Sequence, residues 1–143
     1  MNTYDTDFHE WIEEQTGLLR SGRFDRLDIP NLVEELESLS ARERRELINR
    51  LGLLLAHLLK WQYQPERRSN SWRFTINEQR RQLALLLEDS PSLVSRLPEF
   101  LPRAYAYARR AALEETGFLK SPFPADCVYG LADILNEDFW PDA

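Results

Sequence analysis

Residues 43–63, ERRELINRLGLLLAHLLKWQY, decide the fold. Leu51, Leu53, Leu54, Leu55, Leu58 and Leu59 leave almost no polar side between residues 51 and 59, and an all-round apolar helix is normally a buried one. Leu47, Leu51, Leu54 and Leu58 form its main stripe, spaced to face one way at about 100° per residue. His57 and Lys60 fall beside Leu53 on the opposite side. Ser40 followed by Glu43 matches a capping box, so this helix is expected to start there and to run to about Tyr63, before Pro65.

Working outward, helical periodicity continues on both sides, and no segment shows sustained two-residue alternation or a hairpin turn. A first helix is expected over about residues 5–20, with Phe8, Trp11, Ile12, Leu18 and Leu19 as its stripe and Gly22 as its stop. After a link at residues 23–27, Asp28 and Pro30 suit the start of a short second helix with Leu32, Val33, Leu36 and Leu39 as its buried face. Ser69 or Ser71 caps a fourth helix reaching about Glu88, with Trp72, Ile76, Leu83, Leu86 and Leu87 on one side. Pro98 and Pro102 are expected to break or kink the chain before a helix at 102–116 that Gly117 closes. An ordered loop at 119–128, a short helix near 131–136 and the anchors Phe139 and Trp140 complete the chain. The expectation is an all-α, compact, single-domain bundle of five to six helices around the Leu-rich one, spanning residues 1–143.

At 143 residues and 43% hydrophobic content the chain is long enough for one core. No apolar run approaches the length that a membrane span needs. The start, MNTYDTDFHEW, is acidic and lacks the features of a secretory signal. A single cysteine, Cys127, excludes an internal disulfide and a Cys-rich zinc site. The expected compartment is the cytoplasm. Charge is uneven: residues 1–40 hold ten acids against three bases, and residues 114–143 hold seven against one, so the middle is basic.

Ordered along the chain, YDTDFHEW at 4–11, LDIPNLVEELESL at 27–39, HLLKWQYQPE at 57–66, TINEQR at 75–80, SPSL at 90–93 and EDFWP at 137–141 resemble the bacterial "domain of unknown function 29" family over nearly the whole length. The resemblance implies a compact all-helical protein. It implies no activity, cofactor or catalytic residue.

Several polar residues sit where a bundle does not need them. Gln15 and Gln79 fall within apolar stripes, and His57 and Lys60 lie on a nearly all-apolar helix; such groups require partners when buried. Glu34, Glu35 and Glu37 on the preceding helix are the nearest carboxylates in sequence, with Glu35 the first choice. One reading brings Gln15, Glu35, His57, Lys60, Gln79 and Arg80 into a polar pocket for an anion or small ligand, with Glu35 or His57 available for acid–base chemistry. The other reading is an internal network that fixes helix register.

Metal chemistry has little support, because His9 and His57 are the sole histidines and no Glu-x-x-His pair is present. No phosphate loop, nucleophile elbow or H-E-x-x-H motif occurs. No cofactor is expected, and catalysis is less expected than binding. A nucleic-acid or anion surface is the competing reading, since Arg67, Arg68, Arg73, Arg80 and Arg81 are interleaved with Trp61, Tyr63, Trp72 and Phe74. The leading expectation is a small accessory module that recognises another protein through a helical surface; a homo-oligomer is compatible with it.

Overall fold

The computed structural model describes residues 3–142. They form an all-helical fold: α1 (Thr3–Thr6), α2 (Phe8–Arg20), α3 (Ile29–Tyr63), α4 (Asn70–Asp89), α5 (Leu97–Thr116) and α6 (Leu131–Leu135), with no strand among the described residues. Short 3-10 turns occupy Phe24–Arg26, Pro65–Arg67 and Pro91–Arg96. None of the helices among the described residues is long and apolar enough to cross a membrane. By its internal contacts the chain divides into two compact units, residues 1–43 and 44–143.

The first unit contains α1, α2 and the beginning of α3. The helix expected over residues 5–20 is interrupted at Asp7, whose side chain leaves the helix to accept the Glu10 backbone N–H at 3.1 Å and so caps α2. Gly22 stops the chain as expected, with a positive φ in the left-handed region that favours glycine. Ser40 starts no new helix. From Asn31 to Arg50 the sequence has neither Gly nor Pro and is rich in Leu, Glu and Arg, so helical propensity is unbroken. The two expected helices are therefore one of 35 residues.

The apolar stripes of this unit are also placed differently from expectation. Trp11 is buried and Leu18 and Leu32 are half-buried, but Phe8, Ile12, Leu19, Val33, Leu36 and Leu39 are all exposed, Leu36 by 64%. Two helices can cover each other only along their shared seam, and the rest of each stripe stays open.

The second unit is built around the Leu-rich half of α3. Leu47, Leu51, Leu54, Leu55, Leu58 and Leu59 are fully buried, whereas Leu53 on the opposite side is partly exposed. Around them sit Ile76 and Leu83 of α4 and Leu97, Phe100, Ala104, Ala108 and Ala112 of α5. The small residues of α5 allow a close approach to α3: a Cβ on Gly52 would lie 2.8 Å from Tyr107 Cδ1 and 3.4 Å from the Ala104 carbonyl oxygen. Glycine is needed there for space, since its backbone is ordinary helix.

Ser69 caps α4 by accepting the Trp72 N–H, as expected. The fifth helix differs: it begins at Leu97 with Pro98 in its first turn, and Pro102 lies inside it. A proline in the first turn sacrifices no intrahelical bond, and Pro102 removes the single bond to the Pro98 carbonyl without ending the helix. Gly117, also left-handed, closes α5. The loop that follows is held by Tyr105 Oη and Arg109 Nε, which both donate to the Pro124 carbonyl, at 2.6 and 3.1 Å. The C-terminal aromatics are anchors as expected: Trp140 lies against Trp61 at 4.7 Å between ring centroids.

Candidate functional site

Within the first unit, Asp28 is the hinge of the local geometry. Its carboxylate accepts from Trp11 Nε1 at 3.0 Å and from Asn31 Nδ2 at 2.7 Å, and its backbone N–H donates to Gln15 Oε1 at 2.8 Å. The Asn31 side-chain amide, seconded by the Trp11 indole and the Asn31 N–H, holds the Asp28 carboxyl below its ordinary value. Gln15 is buried, and its amide oxygen thus has a structural partner.

Glu35 is taken up by Tyr4, whose hydroxyl donates to it at 2.6 Å. That hydrogen bond, with burial and the charges of Glu35 and Glu34 adding to it, pushes the Tyr4 phenol up to about 12. Tyr4 is also edge-on to Trp11 at 4.8 Å, and Phe8 stacks on Trp11 at 5.6 Å.

These contacts leave a groove between α2 and the start of α3. It has a volume of about 360 Å³ and is walled by Phe8, Ile12 and Leu19 on one side and Leu32, Leu36 and Leu39 on the other, with Trp11 and Gln15 at its seam. Spacings of three and four residues put each set on one face of its helix. Glu35 and Arg42 are the ionisable groups in its lining.

Within the second unit, Lys60 is buried and forms an ion pair with Glu115, the latter 54% exposed, while its ammonium sits 5.2 Å from the centroid of Trp72. Glu35, the carboxylate expected beside Lys60, is engaged by Tyr4 within the first unit, and α3 runs on through Ser40 without a turn. His57 is half-buried and its Nδ1 lies 2.9 Å from the Leu53 carbonyl. A carbonyl can only accept, so Nδ1 carries the proton. Burial pulls the His57 pKa below its usual value, and the Lys60 charge adds to this against the opposing Leu53 carbonyl and Glu115.

The sign of that shift sets a pH dependence. A histidine depressed in the folded state binds its proton more readily when unfolded, so its contribution is present above about pH 6.5 and is lost as pH falls through the folded value. His57→Leu is therefore expected to flatten the acid limb of the stability profile by up to about 1.4 kcal/mol per pH unit. Denaturation midpoints from pH 7.5 to 5 check this; parallel profiles for the two proteins would refute it.

Gln79 is half-buried and accepts from Arg50 Nη1 at 3.2 Å. Arg80 is buried, donates through Nε to the Ile134 carbonyl at 2.8 Å and through Nη2 to that of Asp133 at 3.4 Å, and lies 5.6 Å from the centroid of Trp140. It thereby satisfies carbonyls at the end of α6. Of the six residues expected in one pocket, Gln15 and Glu35 belong to the first unit and His57, Lys60, Gln79 and Arg80 to the second. Each has at least one partner of its own, and Arg80 Nη1 is buried without a hydrogen-bond partner.

The arginine segment is similarly divided. Arg68 donates to the Trp61 carbonyl at 2.8 Å and the Pro141 carbonyl at 3.4 Å, and its guanidinium lies 4.9 Å from the centroid of Trp61. Trp61 is buried beneath it, so its ring faces are covered, and half-buried Tyr63 meets Phe123 edge-on at 5.3 Å. Arg67 and Arg73 are exposed; Arg73 bonds Asn70 at 2.9 Å, and exposed Arg81 pairs with Glu78 at 2.7 Å.

A second cavity, of about 340 Å³, is lined by Leu101, Pro102, Tyr105, Asp126 and Cys127. Burial pushes the Cys127 thiol up, which keeps it protonated and weakly nucleophilic. Among the described residues, no group of three or more His, Cys, Asp or Glu side chains is arranged to hold a metal ion.

An all-helical chain with an open apolar groove and internally paired polar groups defines a class by fold more than by chemistry. The chain belongs to the family described as Domain of unknown function DUF29, whose match covers residues 3–140. No curated protein and no solved structure matches it.

The groove is what sequence reasoning misses, because periodicity reads Leu32, Leu36 and Leu39 as a buried face and Phe8, Ile12 and Leu19 as a stripe facing it. The available signal was charge: residues 1–43 carry eleven acids and four bases, a net of −7, which is heavy for a segment expected to bury two apolar stripes. Glu115 was missed for a different reason, being 55 residues from Lys60 with no local pattern to link them.

Proposed function

We propose that this protein is a non-catalytic interaction module that binds another protein through the apolar groove of residues 1–43. The observation that carries this reading is the exposure of Phe8, Ile12, Leu19, Leu36 and Leu39 together around one groove. Single exposed leucines are ordinary on any surface, whereas a contiguous apolar patch on a charged unit marks a contact site. The ion pair of Lys60 with Glu115 is in keeping with the same reading, since it gives the buried ammonium a structural partner. The module is assigned to the cytoplasm, in keeping with its lone cysteine.

Photo-cross-linking in the native host tests the proposal. A photoreactive residue at Leu36 or Ile12 is expected to give a discrete adduct with another protein, and one at exposed Tyr107 is expected to give none. Adducts from Tyr107 but not from the groove positions would overturn the assignment of the surface.

A further inference from the structure

Resting on the reading of the groove as a protein-binding surface, we infer that its occupant is a basic amphipathic helix of three to four turns. Length comes from the walls. Phe8 to Leu19 on α2 and Leu32 to Arg42 on α3 each rise about 15–17 Å at about 1.5 Å per residue, so a helix lying between them meets apolar side chains over about three turns. A groove between two helices is the shape a third helix fills, with anchors at i, i+3 or i+4, and i+7. An extended strand would gain no main-chain hydrogen bonds there, because the carbonyls and N–H groups of both walls are satisfied within their helices.

Charge selects the chemistry of the occupant's polar face. The first unit carries −7, against +1 for residues 44–143, with thirteen acids and fourteen bases. One position beyond Ile12 and Leu36, about 100° further round each helix, stand the exposed carboxylates Glu13, which lies 3.2 Å from His9 Nε2, and Glu37. An incoming helix that seats leucines in the groove therefore presents its flanks to acidic rims, where Lys and Arg are attracted and Glu and Asp are repelled. The same charge disfavours a second copy of this chain, since pairing two such grooves face to face would bring together two units of −7 each. Arg42, in the groove lining, and exposed Arg20, seven residues beyond Glu13 on the same face of α2, are countervailing charges.

The test uses the full chain and synthetic labelled helical peptides of about four turns that share one leucine face and differ only in their polar positions, which are Lys/Arg, Gln/Ser or Glu. A fourth peptide has the Lys/Arg composition in scrambled order. Fluorescence anisotropy is expected to rank them basic, then neutral, then acidic, with at least about tenfold between the extremes at low salt and a gap that closes as salt rises. Leu36→Gln and Ile12→Gln, which remove an apolar anchor without adding charge, are each expected to weaken the basic peptide by about tenfold or more with the circular dichroism of the chain unchanged.

Equal binding of all three ordered peptides would overturn the charge assignment while leaving the groove as a binding surface. Equal binding of the ordered and scrambled basic peptides would show attraction by charge alone and overturn the helix-in-groove geometry. No binding by any peptide, with sedimentation showing a dimer that Leu36→Gln dissociates, would make the occupant a second copy and overturn both this inference and the proposed function. No binding by a monomeric chain would overturn this inference, and the groove cross-links would then decide the proposed function independently.

Discussion

Replacing Leu54 by Ala is expected to cost about 3–5 kcal/mol and to lower Tm by on the order of 10 °C, whereas Leu36→Ser should change stability by no more than about 0.5 kcal/mol. Both leucines lie on the same helix and belong to equally regular apolar stripes. Leu54 is fully buried and touches its neighbours on every side, so its truncation removes transfer free energy and leaves a cavity. Leu36 is 64% exposed, and its replacement by a hydroxyl loses little contact in the free protein. Thermal and chemical denaturation of the two variants make the comparison. A large loss for Leu36→Ser would mean that the stripe is covered in the free chain, and the groove would cease to be a candidate contact surface.

The difference between those residues explains how far the fold was legible in the sequence. Periodicity reports that one face of a helix is apolar and therefore meets something. It is silent on whether the something belongs to the same chain. For Leu47, Leu51, Leu54 and Leu58 the absence of a polar side made burial the natural reading, and it held. For Val33, Leu36 and Leu39 the pattern is as clear and the expected burial does not occur, because α2 and the start of α3 cover each other only along the seam of Trp11 and Gln15.

Caps and stops were legible for local reasons. Ser69 sits three residues before the N–H it accepts, and Gly22 and Gly117 occupy left-handed positions that few other residues tolerate. Ser40 failed the same kind of test because a capping box is a possibility that helical propensity on both sides can overrule. The candidate polar site was legible residue by residue but not as an arrangement. Gln15, Lys60 and Arg80 were identified as groups needing partners, and all three are buried. Their partners, the Asp28 N–H, Glu115 and the carbonyls of α6, are set by tertiary contacts that no spacing rule encodes.

Glu115→Ala is expected to destabilise the protein by about 2–3 kcal/mol, while Lys60→Met should fall within about 1 kcal/mol of the native chain in either direction. The asymmetry follows from burial. Lys60 is held almost wholly away from water, with a side-chain exposure of 7%, against 54% for Glu115. Removing the carboxylate strands an ammonium whose remaining support is the face of Trp72, 5.2 Å away, and that contact compensates only in part. Because water reaches Glu115, the cost falls short of that for a fully buried pair. Removing the ammonium instead keeps the apolar stem against its neighbours and leaves a carboxylate that is already hydrated. The double variant should then resemble Lys60→Met alone, since the harm of losing Glu115 exists only while the lysine is charged. Urea denaturation of the four proteins reads this cycle directly. Equal losses for the two single variants would mean that the attraction exceeds the desolvation it must overcome, and the pair would rank as a net source of stability. The expected asymmetry would instead mark Lys60 as a group the fold tolerates, and cross-linking from Leu36 in Lys60→Met should then proceed as in the native chain, separating the scaffold of residues 44–143 from the contact surface of residues 1–43.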